Sequence, residues 1–216
     1  MKTQGLKITG ITLLLMSISF SMTRCSEGAG MDGIDPYEDP LLKSELLTGE
    51  LTDAEIEGIL FMREEEKLAR DVYLYLYEIH PLRPFLNISK SEQAHMDAIK
   101  YLIDTYGLED PVGENGEGVF RYTELQDLYD ELILSGAASR EEALKVGALI
   151  EEVDILDLRN ELDNFVQNED VIRVFENLCK ASEQHLRVFV KVLRLYDVEY
   201  EPVKLSREEF DRIMSE

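Results

Sequence analysis

Cationic side chains are scarce in this chain: 22 Lys and Arg stand against 45 Asp and Glu, for a net charge of −23. So acidic a surface excludes nucleic acid and anionic membrane surfaces as partners. Cysteine is scarcer still, with Cys25 and Cys179 only. If Cys25 is removed or modified, Cys179 has no partner, so no intramolecular disulfide is expected and Cys179 reads as a small core residue. Apolar runs of membrane-spanning length are missing. The longest, Ile8 to Phe20, follows Lys2 and Lys7 and precedes small and polar residues up to Cys25, which is the layout of a secretory signal.

The protein is therefore expected to be exported, periplasmic or otherwise extracytoplasmic, with residues 1–25 as the signal. Its loss removes three cations and no acid, taking the net charge from −23 to −26. A lipoprotein signal would put the modified residue at Cys25 and make Ser26 to Asp39 a membrane tether. Arg24 stands where such a site prefers a small residue, so simple cleavage and lipidation both stay open. Residues 26–50 read as an acidic linker, broken by Gly33, Pro36 and Pro40.

No window shows sustained β-type alternation, so the class is all-α. Thr52 with Glu55 forms a capping-box pattern for a helix reaching Ile79, where His80 and Pro81 stop it. A second helix starts near Pro84 and ends at Gly107. A glycine-bearing loop follows, then a short helix from Tyr122 to Leu134. Ser139 with Glu142 caps a third long helix to about Phe165, Asn168 opens a fourth that ends near Asp197, and a last helical turn follows Ser206. Connections that run short, long, short suit a ferritin-like four-helix bundle over residues 51–199, with one long crossover containing a short extra helix and a C-terminal tail over 200–216.

Polar residues on faces that should be apolar carry the functional signal, because a buried carboxylate or imidazole must be paired, protonated or metal-bound. On the first helix Glu65 lies on the centre line of the stripe formed by Phe61, Leu68, Val72 and Leu76, with Glu64 on the edge and Glu66 on the far side. On the second, Glu92 and His95 lie within the inward stripe at i, i+3. On the third, Glu151 and Asp154 flank the core face above the small Gly147; Glu152 points elsewhere, and Asp157 competes for the inward role. On the fourth, His185 is central, whereas Glu183 falls about 160° away and should face solvent. Each residue has a bland explanation as a cap, a satisfied core histidine or a solvated edge. Together, Glu65, Glu92, His95, Glu151, Asp154 and His185 make four carboxylates and two imidazoles, the ligand set of two iron ions in a bundle, with manganese or a mononuclear zinc as alternatives. Tyr73 and Tyr106 lie on or near inward faces and are candidate hydrogen-bond donors to those ligands.

The strings EEEKLARDVY (64–73), SEQAHMDAIKYLIDTYG (91–107), VGALIEEVDILDL (146–158) and SEQHLRVFV (182–190) resemble the hallmarks of a ferritin-like domain family of uncharacterised function found in exported prokaryotic proteins. The resemblance covers about residues 50–215 and implies a ferritin-like bundle with a metal site, not a known reaction. Ferritins repeat Glu-x-x-His on two helices, whereas here Ser182 precedes His185; Asp154 is the candidate for the missing carboxylate. Three functions follow: a ferroxidase or O₂- or peroxide-dependent oxidoreductase, a metal-binding module without turnover, or a metal-free interaction bundle.

Overall fold

The computed structural model describes residues 49–215; the expected signal, Cys25 and most of the linker lie outside the described residues. Among the described residues there are six helices and no strand: α1 (Asp53–Ile79), α2 (Arg83–Tyr106), α3 (Thr123–Gly136), α4 (Arg140–Asn164), α5 (Glu169–Leu195) and α6 (Arg207–Ser215). None is long and apolar enough to cross a membrane.

Local chemistry sets the boundaries. Thr52 Oγ1 accepts the Glu55 N–H while Glu55 Oε2 accepts the Thr52 N–H, closing a capping box. Pro84 sits in the first turn of α2, where its missing N–H costs nothing, and Gly107 ends the helix at φ 67°, a left-handed conformation a Cβ disfavours. Ser139 caps α4 and Asn168 caps α5, each accepting backbone N–H groups from the first turn.

α1 packs along α2 and α4 along α5, while α1–α4 and α2–α5 contacts close the set of four. α3 leans on α1 and α4, and α6 on α5. The crossover between α2 and α3 folds back over α1. There Lys67 Nζ donates to the carbonyls of Gly116 and Val119 and to Asp71, which also accepts the Gly118 N–H. As a result every residue from Met62 to Ala69 is buried, whichever way it points. The single inward stripe expected for α1 is thus corrected to a helix covered on all sides between Met62 and Ala69.

Gly147 does leave room for close approach: the Phe189 ring of α5 lies over it, and a Cβ there would sit 1.5 Å from Phe189 Cε1. Phe189 packs in turn on Tyr73 and Phe85, with ring centroids 6.0 and 6.2 Å away. Gly147→Ala must push that aromatic layer apart. We expect a loss of at least ~1–3 kcal/mol of stability, read as a lower urea midpoint at unchanged slope.

Candidate metal centre

α1 supplies Glu65 and Glu66, α2 Glu92 and His95, α4 Glu151 and Asp154, and α5 His185; all lie between the four packed helices. Ligand-type atoms converge in two groups, Glu66–Glu92–His95 and Glu92–Glu151–His185, each with its atoms within 4.8 Å of one another. Glu92 belongs to both. Its Oε2 lies 2.8 Å from His95 Nδ1 and its Oε1 3.5 Å from His185 Nδ1, while Glu66 Oε2 lies 3.1 Å from His95 Nδ1. The imidazoles stack with centroids 5.6 Å apart. Behind them Ser91 Oγ lies 3.2 Å from His185 Nε2 and 3.5 Å from His95 Nε2. With two lone pairs, that oxygen can accept from both Nε2–H groups, which leaves both Nδ1 lone pairs directed at the carboxylates. Lone pair facing lone pair is repulsive, so protons or cations belong between them.

Hydrogen bonding sorts the buried acids into two kinds. Glu64 accepts the N–H groups of Arg121 and Tyr122. Glu152 accepts those of Val203, Lys204 and Leu205 together with the Tyr200 hydroxyl. Glu55 accepts those of Gln167 and Asn168. These carboxylates tie segments together, and their charge is matched by donors. By contrast no N–H or hydroxyl donor reaches either oxygen of Glu65, Oε1 of Glu66, Oε1 of Glu92, Oδ1 of Asp154 or Nδ1 of His185, all buried; Glu65 meets the Asp157 carboxyl and Glu66 that of Glu92, contacts that need a shared proton or a cation. Orphaned acceptors at such density are the observation that fits a cation, because desolvated acceptors without donors are costly.

The electrostatics agree. Burial lifts the carboxyls of Glu65, Glu151 and Asp154 well above the usual range, with neighbouring carboxylates adding to it. Burial also raises Glu66, to about 7, although His95 pulls the other way. His185 is driven well below its ordinary value by burial and then by His95. Ser182 has one proton for two acceptors, the Leu178 carbonyl and Asp154 Oδ2. A protonated Asp154 resolves the conflict by donating to Ser182 Oγ. The Tyr73 hydroxyl donates to Glu151 Oε1 at 3.1 Å, an interaction that orients that carboxylate.

Of the six residues singled out in the sequence, Glu92, His95, Glu151 and His185 enter the two groups, whereas Glu65 and Asp154 adjoin them without joining either. Glu66, expected on the far side of α1, faces His95 instead and is 2% exposed. The one signal that could have found it is the run of three glutamates at 64–66, which no single amphipathic stripe can accommodate. Glu64 and Glu152 lie away from the centre but are buried, not edge or surface residues. Glu183 is also outside it, as its helical phase requires; instead of facing open solvent it is half-buried and pairs with Arg159. Tyr106 bonds Asn168 and Asp170 near the start of α5, remote from the two groups. Cys179 is buried and free, its thiol pushed up to about 11 by desolvation, in keeping with a core role.

A family model described as an uncharacterized protein domain, DUF2202, matches residues 55–216. The "Uncharacterized protein MJ0754" of Methanocaldococcus jannaschii is 48% identical over 165 residues, which are 76% of this chain and 89% of that protein. A crystal structure titled as that of hypothetical protein MJ0754 from Methanococcus jannaschii is similar with a TM-score of 0.78 at 46% identity, covering 80% of this chain and 98% of the other.

Proposed function

This chain belongs to the DUF2202 domain family, and we propose that it is a ferritin-like protein whose four long helices hold a dinuclear iron or manganese centre with ferroxidase or O₂- or peroxide-dependent oxidoreductase activity. The supporting observation is Glu92: its two carboxylate oxygens face the Nδ1 atoms of two different histidines, so Glu92 would be a ligand shared by both ions. Glu66 and His95 would complete one ion's ligands, and Glu151 and His185 the other's. Asp154, hydrogen-bonded to Ser182, is the candidate for the carboxylate that ferritins bring from the last helix. Export through residues 1–25 belongs to the same proposal, supported by the Lys2 to Cys25 pattern.

When bound, iron supplies one-electron chemistry with dioxygen or peroxide that no side chain here can perform. The chain's own contribution is to hold and shield. Ser91 orients both imidazoles, Tyr73 orients Glu151, and the layer of Tyr73, Phe85 and Phe189 keeps that end dry. The two groups comprise three carboxylates and two imidazoles, at most eight donor atoms counting two per carboxylate and one per ring. Two octahedral ions offer about twelve positions, so places remain for an oxidant, which favours turnover over passive storage.

Metal analysis after anaerobic loading with Fe(II) should give about two ions per chain, and admitting air should consume oxygen as Fe(II) disappears. Two ions held with no oxidation beyond that of free Fe(II) would leave a binding module, and wild type that holds no ion would sink the proposal.

A further inference from the structure

Glu65 is left over from the centre. It is 1% exposed, no N–H or hydroxyl reaches either oxygen, and it meets the Asp157 carboxyl, with which it shares a proton when no cation is present, while the charges of Asp157, Asp154 and Glu66 all bear on it. Across from it on α4, Asp154, Asp157 and Glu161 follow one another at i, i+3 and i+7, so they share a face and advance in steps of about 5–6 Å. The outer end is built to admit a carboxylate. Gly58 of α1 lies against Glu161, and a Cβ at Gly58 would come within 2.4 Å of Glu161 Oε2. That oxygen is likewise buried with no N–H or hydroxyl donor, yet Glu161 also lines an open pocket with Ala54, Glu57, Gly58, Phe61 and Phe165. The row therefore starts at the surface with Glu57 and Glu161, continues through Asp157 and Glu65, and stops at Asp154, whose carboxyl feels the charge of Glu66 in the centre. Lys204 borders it near Asp157.

Acids that only staple helices together are met by backbone N–H groups in this protein, as at Glu64 and Glu152. These are not. We propose that Glu161, Asp157, Glu65 and Asp154 form the route by which a divalent metal ion travels from the α1–α4 surface pocket to the buried centre, with Glu65 and Asp157 as a transit pair. The route rests on the metal-centre proposal above. A bare divalent ion crossing an apolar seam loses most of its hydration, and successive carboxylates replace those oxygens step by step. Transit requires weak, incomplete coordination, and Glu65 and Asp157 fit that need because neither belongs to the tighter ligand groups.

The test is the filling rate of the metal-free full chain mixed anaerobically with Fe(II), stopped with a chelator at set times and assayed for iron per chain. Asp157→Asn should fill to the wild-type level roughly tenfold more slowly, the low end of what charge-lined clefts add to association rates. Its metal-free form should melt no lower than wild type, because a like charge has been removed. Glu161→Gln, a change of nearly the same shape at a half-buried position, should slow filling in the same way. Wild-type rates in both variants would overturn the route. So would an unchanged rate with a lower final content, which would make Asp157 a resident ligand. A wild type that takes up no ion would instead bring down the metal centre and the route with it.

Discussion

Glu92→Gln should empty the protein of bound metal while leaving it folded. The substitution keeps the side chain's shape and removes one charge from a position that faces both histidines. Since both ions would lose a ligand at once, affinity should fall by more than the ~10–100-fold that loss of an outer-shell partner costs. In the metal-free state the same change removes a buried charge that raises the carboxyls of Glu66 and Glu151, so the apo variant should melt at or above wild type. Glu64→Gln is the informative contrast. Glu64 is fully buried two residues from Glu66, but it accepts the N–H groups of Arg121 and Tyr122. Its substitution should cost ~1–3 kcal/mol of stability and leave metal content unchanged. Metal content and melting temperature should thus move in opposite patterns for the two variants. Metal lost equally from both would mean that the buried acids of α1 and α2 act together in holding the fold, and the bridging role of Glu92 would be lost.

Acidification should stabilise the metal-free protein and destabilise the metal-loaded one. Glu66 titrates at about 7 in the fold, and Glu65, Glu151 and Asp154 are also well above the usual carboxyl range. In the unfolded chain these groups titrate near ~4. Between those values the native state binds more protons than the unfolded state, so stability falls as pH rises. Glu66 alone contributes on the order of 3 kcal/mol across that window. His185 acts in the opposite sense. Its folded pKa lies well below 6.5, so it contributes stability above the unfolded value that is lost as pH falls. Four carboxyls outweigh one imidazole. The apo protein should therefore melt roughly 6–12 °C lower at pH 7.5 than at pH 5, taking ~2–4 °C per kcal/mol for a domain of this size. Bound divalent ions take the place of those protons and add about 2.7 kcal/mol per site at a hundredfold excess over Kd. The loaded protein should show the reverse slope, so that the two melting curves against pH cross. Apo and metal-supplemented curves that run parallel would exclude Glu66 and Glu151 as ligands.

Much of this was legible in one dimension because it is local. Caps at Thr52, Ser139 and Asn168 act on backbone groups two or three residues away, so their pattern predicts where helices begin. Glu92 and His95 are one turn apart, and the position of Glu151 flanking the core face and the central phase of His185 follow from 3.6 residues per turn. The clustering of those four residues, and the all-helical class, could be read from sequence alone. The choice between Glu65 and Glu66 was not. Helical phase selects a residue only when one face is wet, and the crossover between α2 and α3 completes the cover that α2, α3 and α4 give α1, so that Met62 to Ala69 are buried on every side. Nor could sequence say which buried acids are staples. The donors that satisfy Glu64 lie 57 and 58 residues away, and the backbone donors of Glu152 lie 51 to 53 residues away. Only the tertiary structure brings those N–H groups to some carboxylates and withholds them from others, and the energy of desolvating an unmatched charge makes that difference decisive for where a metal ion belongs.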